Sequence, residues 1–408
     1  MLLSLCILGP AASAVGISGE KKTIFTAEEG AYISSAIDSG NILICEVYPD
    51  PDKDDASSWS RLYLYNISEG TPEELLIHPS PSLSLYHHLD INENIVVWVA
   101  KSERDWVEGQ FDVYAYNLDE RKSPERIAEK FYSVNGIAKC NDKIIITGRN
   151  SATETRDYDH GEIFVYNLVE GSLTKYELPG CQSWVAVSGK NLIFQDTRYG
   201  QLKNTVHLMN FDTGKTRQIG DENKGVYSNP DISGEKIVYK FDENFGSFLK
   251  DNPPQKVLMT DIFTNEMTII ASPDAQVASP KIDGNNIVWA DKRNRVYYSV
   301  RLYNINEEYE ILISDTNGTS GGSVEISGDS VIWKDLVNGR NVLKLIKLDL
   351  PKTSATLTEI QQTIEKGVAE TDNGENSTQT AGLFWGFSFA GVIFGLCFIS
   401  RRNIVIEN

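Results

Sequence analysis

An apolar segment recurs seven times along this chain at nearly constant spacing, and this repeat restricts the possible folds more than any other feature. Each copy is a short run rich in Ile, Val, Trp or Phe, and most copies follow a turn rich in Gly or Asn. Consecutive copies start 44 to 53 residues apart. They start at Ile42, Ile95, Ile144, Leu192, Ile237, Ile287 and Val331. Spacing of this size is typical of the blades of a β-propeller.

The unit from Ser279 to Ser314 shows the pattern of one repeat most clearly. A short strand ends at the turn glycine Gly284, and an apolar strand begins at Ile287. A third strand begins at Val300 and ends in Tyr-Asn-Ile, and a fourth follows from Glu310. The apolar strands do not alternate as half-exposed strands do, which indicates that neighbouring blades cover both faces.

The repeats predict an all-β fold, a seven-bladed β-propeller over residues 22–350. A β-sandwich, two smaller sheets, or a ring of six or eight blades are the alternatives. The seventh unit ends with a strand at 343–348 and has no fourth strand, whereas an unassigned strand at 22–26 precedes the first unit. We expect these two strands to pair and close the ring, because pairing covers an open strand edge.

Two units carry an Asp-x-Arg motif after the apolar strand, at Asp196 with Arg198 and at Asp291 with Arg293. Together with the turn glycine and the Tyr-Asn-Leu/Ile strand, this pattern resembles the TolB-like, WD40-like (PD40) repeats of archaeal, especially methanogen, cell-surface proteins. The resemblance implies the propeller fold and a cell-surface location. It implies no particular activity, because propellers host many unrelated functions.

The first residues predict secretion. Residues 1–14 form an apolar run that ends in Ala-Ser-Ala, which fits a signal peptide and its cleavage site. A disordered start is the alternative. Residues 351–380 are rich in Thr, Glu, Ser and Asn without a strong apolar period, which predicts a flexible, disordered stalk.

A C-terminal anchor is predicted at residues 381–400, which carry no charge over 20 residues. This length spans a bilayer as one transmembrane helix. Arg401 and Arg402 begin a tail at 401–408 and place it in the cytoplasm, with the propeller outside. A buried helix or a cleaved lipid-anchor signal are the alternatives. The glycine pairs Gly382/Gly386 and Gly391/Gly395 add a hypothesis of homodimerisation through this helix.

Few residues stand out as binding candidates. Trp59 and Trp106 lie in polar loop sequences, where an aromatic side chain either binds a ligand or packs beneath the loop. Asp50, Asp52 and Asp54 have the start of a calcium loop. The glycine and the final glutamate of such a loop are missing, so a solvated acidic loop is the favoured interpretation. We therefore expect no metal and no cofactor.

Three sites match the acceptor pattern for N-glycosylation, at Asn66, Asn317 and Asn376. Asn66 falls within a predicted strand, so Asn317 and Asn376 are the better candidates. Three such matches in a chain with a signal peptide favour a secreted glycoprotein.

Composition and motifs argue against several functional classes. The formal net charge is −19, which disfavours nucleic acid as a partner. The sequence has no Gly-x-Ser-x-Gly elbow and no zinc-type histidine spacing. We expect a non-enzymatic binding or envelope-organising platform, anchored in the plasma membrane, with a surface protein or glycan as partner. A surface polysaccharide lyase or hydrolase acting at the channel mouth, or a purely structural envelope component, are the alternatives.

Overall fold

The computed structural model describes residues 19–48, 59–75, 89–102, 110–150, 161–200, 203–243, 255–293, 297–314 and 322–349. The predicted signal peptide, stalk, transmembrane helix and cytoplasmic tail lie outside these residues. Within the described ranges, no helix is long and apolar enough to cross a membrane.

The described residues form 28 strands. In chain order the strands are β1 (Lys22–Thr26); in blade one β2 (Tyr32–Asp38), β3 (Asn41–Tyr48), β4 (Trp59–Asn66) and β5 (Pro72–Leu75); in blade two β6 (Leu89–Asn92), β7 (Ile95–Lys101), β8 (Phe111–Asn117) and β9 (Glu125–Phe131); in blade three β10 (Ser133–Cys140), β11 (Lys143–Arg149), β12 (Glu162–Asn167) and β13 (Ser172–Tyr176); in blade four β14 (Gln182–Ser188), β15 (Asn191–Asp196), β16 (Thr205–Asn210) and β17 (Thr216–Ile219); in blade five β18 (Val226–Ser233), β19 (Lys236–Asp242), β20 (Lys256–Asp261) and β21 (Met267–Ala271); in blade six β22 (Val277–Asp283), β23 (Asn286–Asp291), β24 (Ser299–Asn304) and β25 (Tyr309–Leu312); and in blade seven β26 (Val324–Ser327), β27 (Ser330–Val337) and β28 (Arg340–Lys347).

These strands form seven antiparallel sheets of four strands each, which confirms the seven-bladed β-propeller. In blades one to six, the strands pair in chain order from the innermost to the outermost. The second strand of each blade is almost wholly buried, because the adjacent blades cover both of its faces.

The ring closes through the N-terminal strand, as the sequence predicts. In blade seven the strand order is β26, β27, β28 and then β1, so β1 supplies the outermost strand. Lys22 pairs with Leu345 and Thr26 with Val342. Ile24 is buried in one cluster with Leu343 and with residues of blade one. The two ends of the propeller are therefore joined within one sheet.

The hydrophobic core is divided between the blades. Seven clusters of buried side chains fill the seven interfaces between adjacent blades, including the interface between blade seven and blade one. Each blade therefore relies on two neighbours for its burial, which favours a complete ring over isolated blades.

Strand register confirms that three tryptophans occupy equivalent core positions. The last residue of each inner strand pairs with a residue at the start of the second strand. Trp98, Trp289 and Trp333 each follow that paired residue by three positions. All three are at most 1% exposed. The register also corrects one detail of the sequence alignment. The equivalent of Ile287 in blade two is Val96 rather than Ile95, because the turn there begins one residue earlier relative to the apolar run.

Hydrogen bonds between blades explain the turns that precede the apolar strands. In each inner strand, the side chain of the last residue accepts a hydrogen bond from the next blade. The donor is the backbone N–H of the first residue of that blade's equivalent two-residue turn. In blade three the acceptor is the Cys140 side chain, and the donor is the Gly189 N–H. All seven donor residues have φ between 47° and 58°, which favours Gly and Asn. The other six donor–acceptor pairs, at 2.6 to 3.2 Å, are Glu93–Asp38, Asn141–Asn92, Gly234–Ser188, Gly284–Ser233, Gly328–Asp283 and Ser39–Ser327.

Candidate functional site in the central channel

The two ends of the propeller differ in the length of their connections. The inner strands end at two-residue turns, and we call this end the turn rim. They begin at the opposite end, the loop rim, where the second and third strands of each blade are also connected. Six of those connections are long, spanning residues 49–58, 102–110, 150–161, 197–204, 243–255 and 292–298. Long connections around one rim are typical of the ligand-binding end of a scaffold.

A cavity of about 640 Å³ lies along the axis, enclosed by the seven inner strands. Its volume falls within the range of about 300–1,000 Å³ typical of small-molecule sites. Five carboxylates and three lysine amines are among its lining residues. This mixture of charges distinguishes the cavity from the apolar interfaces between the blades.

One layer of the cavity carries half of these charged side chains. Each inner strand contributes its third residue from the end to this layer, and all seven residues line the cavity. Three of them are alanines and four are ionisable. In order around the ring they are Ala36, Asp90, Ala138, Ala186, Asp231, Lys281 and Glu325.

Asp90 and Asp231 are held in place by backbone amides. The Asp90 carboxylate accepts hydrogen bonds from the N–H groups of Ile91 at 2.8 Å and Lys139 at 2.7 Å. The Asp231 carboxylate accepts a bond from the N–H of Ile282 at 2.8 Å. In both cases one bond comes from the next blade, so each carboxylate also links two blades.

Enclosure by the protein raises the pKa of both carboxyls. Desolvation raises the pKa of Asp90 to about 7, against the lowering effect of its two amide donors and of Lys281. Desolvation likewise raises the pKa of Asp231 to about 6, with Lys281 and the Ile282 amide acting in the opposite direction. Both carboxyls therefore titrate close to neutral pH, unlike a solvated aspartate.

Lys281 and Glu325 form the one ion pair within this layer, with Nζ and Oε2 3.3 Å apart. Burial alone lowers the pKa of Lys281. The carboxylates of Glu325, Asp231 and Asp90 outweigh that effect and leave the pKa above its ordinary value. Lys281 is therefore charged at neutral pH, and it neutralises Glu325 most directly because Glu325 is its contact partner.

Irregular backbone shapes the wall of the cavity in blades four, five and six. The inner strands there contain a β-bulge between Ser183 and Ala186, between Ser228 and Asp231, and between Ala278 and Lys281. Three cavity-lining residues in these bulges have positive φ without being glycine. They are Trp184 at 51°, Asn229 at 53° and Ser279 at 45°. Such backbone is costly and is often found at binding sites.

Of the loop candidates proposed from sequence, the structure describes only the backbone of Trp59. Trp59 is the first residue of β4 and pairs with Tyr48, which places its backbone at the loop rim. Trp106 and the acidic residues Asp50, Asp52 and Asp54 lie outside the described residues. In the described part of the chain, no group of three or more His, Cys, Asp or Glu side chains is arranged to hold a metal ion.

Asn66, a glycosylation candidate, has a structural role at the turn rim. Its side-chain oxygen accepts a bond from the N–H of Ser68 at 2.9 Å, and its Nδ2 donates to Asn41 Oδ1 at 2.9 Å. The last residue of the third strand caps the following turn in the same way in the next five blades. These residues are Asn117, Asn167, Asn210, Asp261 and Asn304. Asn317 and Asn376 lie outside the described residues.

Groups that resemble a nucleophile and its base are enclosed in the blades. Thr205 Oγ1 lies 3.0 Å from His207 Nε2, but the two residues are 0% and 2% exposed. Burial lowers the pKa of His207 to about 4, so its imidazole is neutral at pH 7. Burial also raises the pKa of the Cys45 thiol to about 12, which makes it unreactive.

The Asp-x-Arg motif also serves the scaffold. Asp196 and Asp291 are fully buried, and each receives side-chain bonds from the arginine two residues later. Asp291 additionally accepts a bond from Trp289 Nε1 at 2.9 Å. The motif therefore holds the start of the loop against the end of the second strand.

The charged layer was missed by the sequence analysis, although a signal exists. The segments that end the inner strands read Asp-Ile-Asn, Asp-Ile-Ser, Lys-Ile-Asp and Glu-Ile-Ser in blades two, five, six and seven. An ionisable residue thus recurs two positions before the end of an inner strand. Repetition of an ionisable residue at one position of the inner strands indicates side chains that face the channel.

Solved β-propeller structures are similar to this chain over most of its length. The β-propeller domain of the Trilobed protease from Pyrococcus furiosus shares 11% identity at a TM-score of 0.58, covering 81% of this chain and 99% of that one. An acylaminoacyl peptidase shares 13% identity at a TM-score of 0.57, covering 82% of this chain and 54% of its own. An oligogalacturonate lyase in complex with manganese shares 12% identity at a TM-score of 0.50, covering 83% of this chain and 99% of that one.

These likenesses define the class of the protein, a β-propeller, and at such low identity they show the fold alone. TolB from Acinetobacter baumannii is also similar, at 13% identity and a TM-score of 0.43, but the fold assignment rests on the structures above. The Pyrococcus furiosus domain is described as having an open velcro topology, whereas β1 closes the ring here. Neither a family model nor a curated protein matches the sequence.

Proposed function

We propose that the protein is a cell-surface β-propeller that binds a ligand in its central cavity without transforming it. The observation that carries this proposal is the charged layer, in which side chains from four blades face a cavity of about 640 Å³. Amides of neighbouring blades hold two of its carboxylates in position. A rigid site of this kind binds with little loss of conformational freedom.

Location at the surface is the second part of the proposal. The predicted signal peptide at 1–14 and the apolar segment at 381–400 followed by Arg401 and Arg402 support an outward-facing propeller. The net charge of −19 is consistent with a soluble domain that is exposed to the medium. A surface protein or a glycan of the envelope is the expected source of the ligand.

Affinity capture from an envelope extract tests the binding role. The full chain is compared with a variant in which Ala186→Leu narrows the cavity. The matched control carries Val169→Leu and Phe263→Leu at residues that are 81% and 71% exposed, outside the cavity. We expect a component to be retained by the wild type and the control but lost from the narrowed variant. Equal retention by all three proteins, or retention of nothing, would contradict a binding role for the cavity.

A second function, cleavage of surface polysaccharide, is favoured by one observation. A carboxyl with a pKa of about 7, as at Asp90, is suited to act as a general acid at neutral pH. Incubation of the full chain with envelope polysaccharides and assay for new reducing or unsaturated ends tests this function. Product formation that is abolished by Asp90→Asn would replace the binding proposal with an enzymatic one.

A further inference from the structure

We propose that the ligand of the central cavity carries an organic cation, an amine or guanidinium group, which binds between Asp90 and Asp231. This inference rests on the proposed binding function and names the chemistry of its ligand. A free polyamine and the lysine side chain of a partner protein share this chemistry.

The arrangement of charges is the first support. Lys281 and Glu325 neutralise each other directly. Among the described residues, by contrast, neither Asp90 nor Asp231 has a basic side chain within ion-pair distance. The Lys139 ammonium, on the strand beside Asp90, is turned toward Asn92 and Glu93 instead. Two carboxyl groups without a direct counter-ion therefore remain in one layer, and a bound cation would favour their charged form.

Space for a ligand is the second support. Between Asp90 in blade two and Asp231 in blade five, the layer contains only Ala138 and Ala186. Their methyl groups leave open the sector that a longer side chain would fill, as Lys281 does in blade six. The two carboxylates thus border the part of the ring with the smallest side chains.

An aromatic residue lies in the wall of the same sector. Trp184 belongs to the bulge of blade four, two residues before Ala186, and lines the cavity. Its backbone has φ of 51°, a conformation that non-glycine residues adopt at some cost. The face of an indole ring attracts ammonium and guanidinium groups, so Trp184 is a further cavity-lining residue suited to a cationic ligand.

The donor set favours an organic cation over a metal ion. Both carboxylates already accept backbone N–H bonds, which occupy part of their lone-pair capacity. Calcium needs six to eight oxygen ligands. Within the residues the structure describes, no set of three metal-ligating side chains is found. A cation with several N–H donors can instead use the lone pairs that remain, at longer distances.

Calorimetric titration of the full chain in detergent micelles tests the inference, with spermidine and the peptide acetyl-Gly-Lys-Gly-amide as probes. Asp90→Asn and Asp231→Asn remove one charge each. The remaining side-chain oxygen can still accept the Ile282 N–H at position 231 and one of the two backbone N–H bonds at position 90. We expect each variant to weaken binding about tenfold or more, as loss of a charged hydrogen-bond partner does. Asp261→Asn is the matched control, because Asp261 does not line the cavity and its carboxylate also accepts a backbone N–H bond, from Phe263. Its affinity should stay within about twofold of the wild type.

The outcomes separate the source of the ligand and the two proposals. Binding of spermidine alone assigns a free polyamine, and binding of the peptide alone assigns a lysine side chain; both support the inference. Ala186→Leu should weaken either probe while both carboxylates stay in place. Saturable binding that is unchanged in both Asp variants, or a response to Ca²⁺ but to neither amine, overturns the inference. If cavity-dependent capture from the extract persists in that case, the proposed function stands and only the cation assignment fails.

Discussion

At the scale of single residues, buried tryptophans mark the centre of the blades. Trp98, Trp289 and Trp333 fill equivalent positions in blades two, six and seven and are almost wholly enclosed. Trp289 also donates a hydrogen bond to the buried carboxylate of Asp291. The sequence alone predicts these core positions, because the aromatic residue recurs at the same place in an apolar strand.

Replacing Trp289 with Ala should lower the free energy of unfolding by about 3–5 kcal/mol, the usual cost of truncating a buried aromatic side chain. The midpoint of urea unfolding measures the effect. Phe263→Ala serves as the control, because Phe263 is 71% exposed and its truncation should change stability by less than about 1 kcal/mol. Equal midpoints for wild type and Trp289→Ala would contradict the alignment of the blades.

Asp90 should make stability depend on pH. Its folded-state pKa is about 7, above the value of about 3.9 expected when unfolded, so the folded protein binds the proton more tightly. The stability that this tighter proton binding contributes is fully present below about pH 4 and is lost as the pH rises through about 7. Between pH 5 and pH 8, the free energy of unfolding of the wild type should therefore fall by about 1–2 kcal/mol relative to that of Asp90→Asn. This figure allows for screening by water in the cavity. Chemical unfolding of both proteins at the two pH values measures this difference, and a difference that is independent of pH would contradict the assignment.

At the scale of the strands, the closure of the ring depends on β1. Its position as the outer strand of blade seven could be predicted by counting strands. The seventh repeat has no fourth strand of its own, and the strand at 22–26 belongs to no repeat. Pairing with β28 covers an edge that would otherwise be open, and Ile24 packs into the interface with blade one. The sequence identifies this partner because the strand count leaves only one vacancy in the ring.

A chain that begins at Gly30, and therefore lacks β1, should unfold at lower temperature than a chain that begins at Lys21. Loss of the buried Ile24 side chain alone removes about 1.5–3 kcal/mol of hydrophobic burial. The chain from Lys21 is the matched control, because it retains the strand and lacks only the residues before it. Thermal unfolding followed by circular dichroism compares the two, and identical melting temperatures would contradict closure through β1.

The charged layer of the channel was harder to predict because it depends on register. A shift of one residue moves every side chain of a strand to the other face. The sequence alignment placed blade two one residue out, at Ile95 instead of Val96, which conceals the equivalence of Asp90 with Asp231, Lys281 and Glu325. These residues also lie far apart in sequence, and Asp90 is on a blade that adjoins none of the other three, so only the closed ring shows that they share one layer.

At the scale of the whole molecule, the predicted orientation follows from the two ends of the chain. The apolar segment at 381–400 is followed directly by Arg401 and Arg402, and a signal peptide is predicted at 1–14. Protease added to intact cells should therefore remove the propeller and leave a small membrane-bound fragment. An epitope tag after Asn408 identifies that fragment. A propeller that survives in intact cells and is cut only after lysis would contradict the orientation.

We propose that the ligand binds inside the ring rather than on its outer surface. The most direct measurement places a photo-crosslinking amino acid at position 186 in the cavity or, as a control, at position 263 on the exposed outer side of blade five. The full chain is irradiated in its own membrane, and adducts are identified by mass spectrometry. Adducts at position 186 and none at position 263 are the predicted result. Adducts at position 263 without any at position 186 would contradict the account.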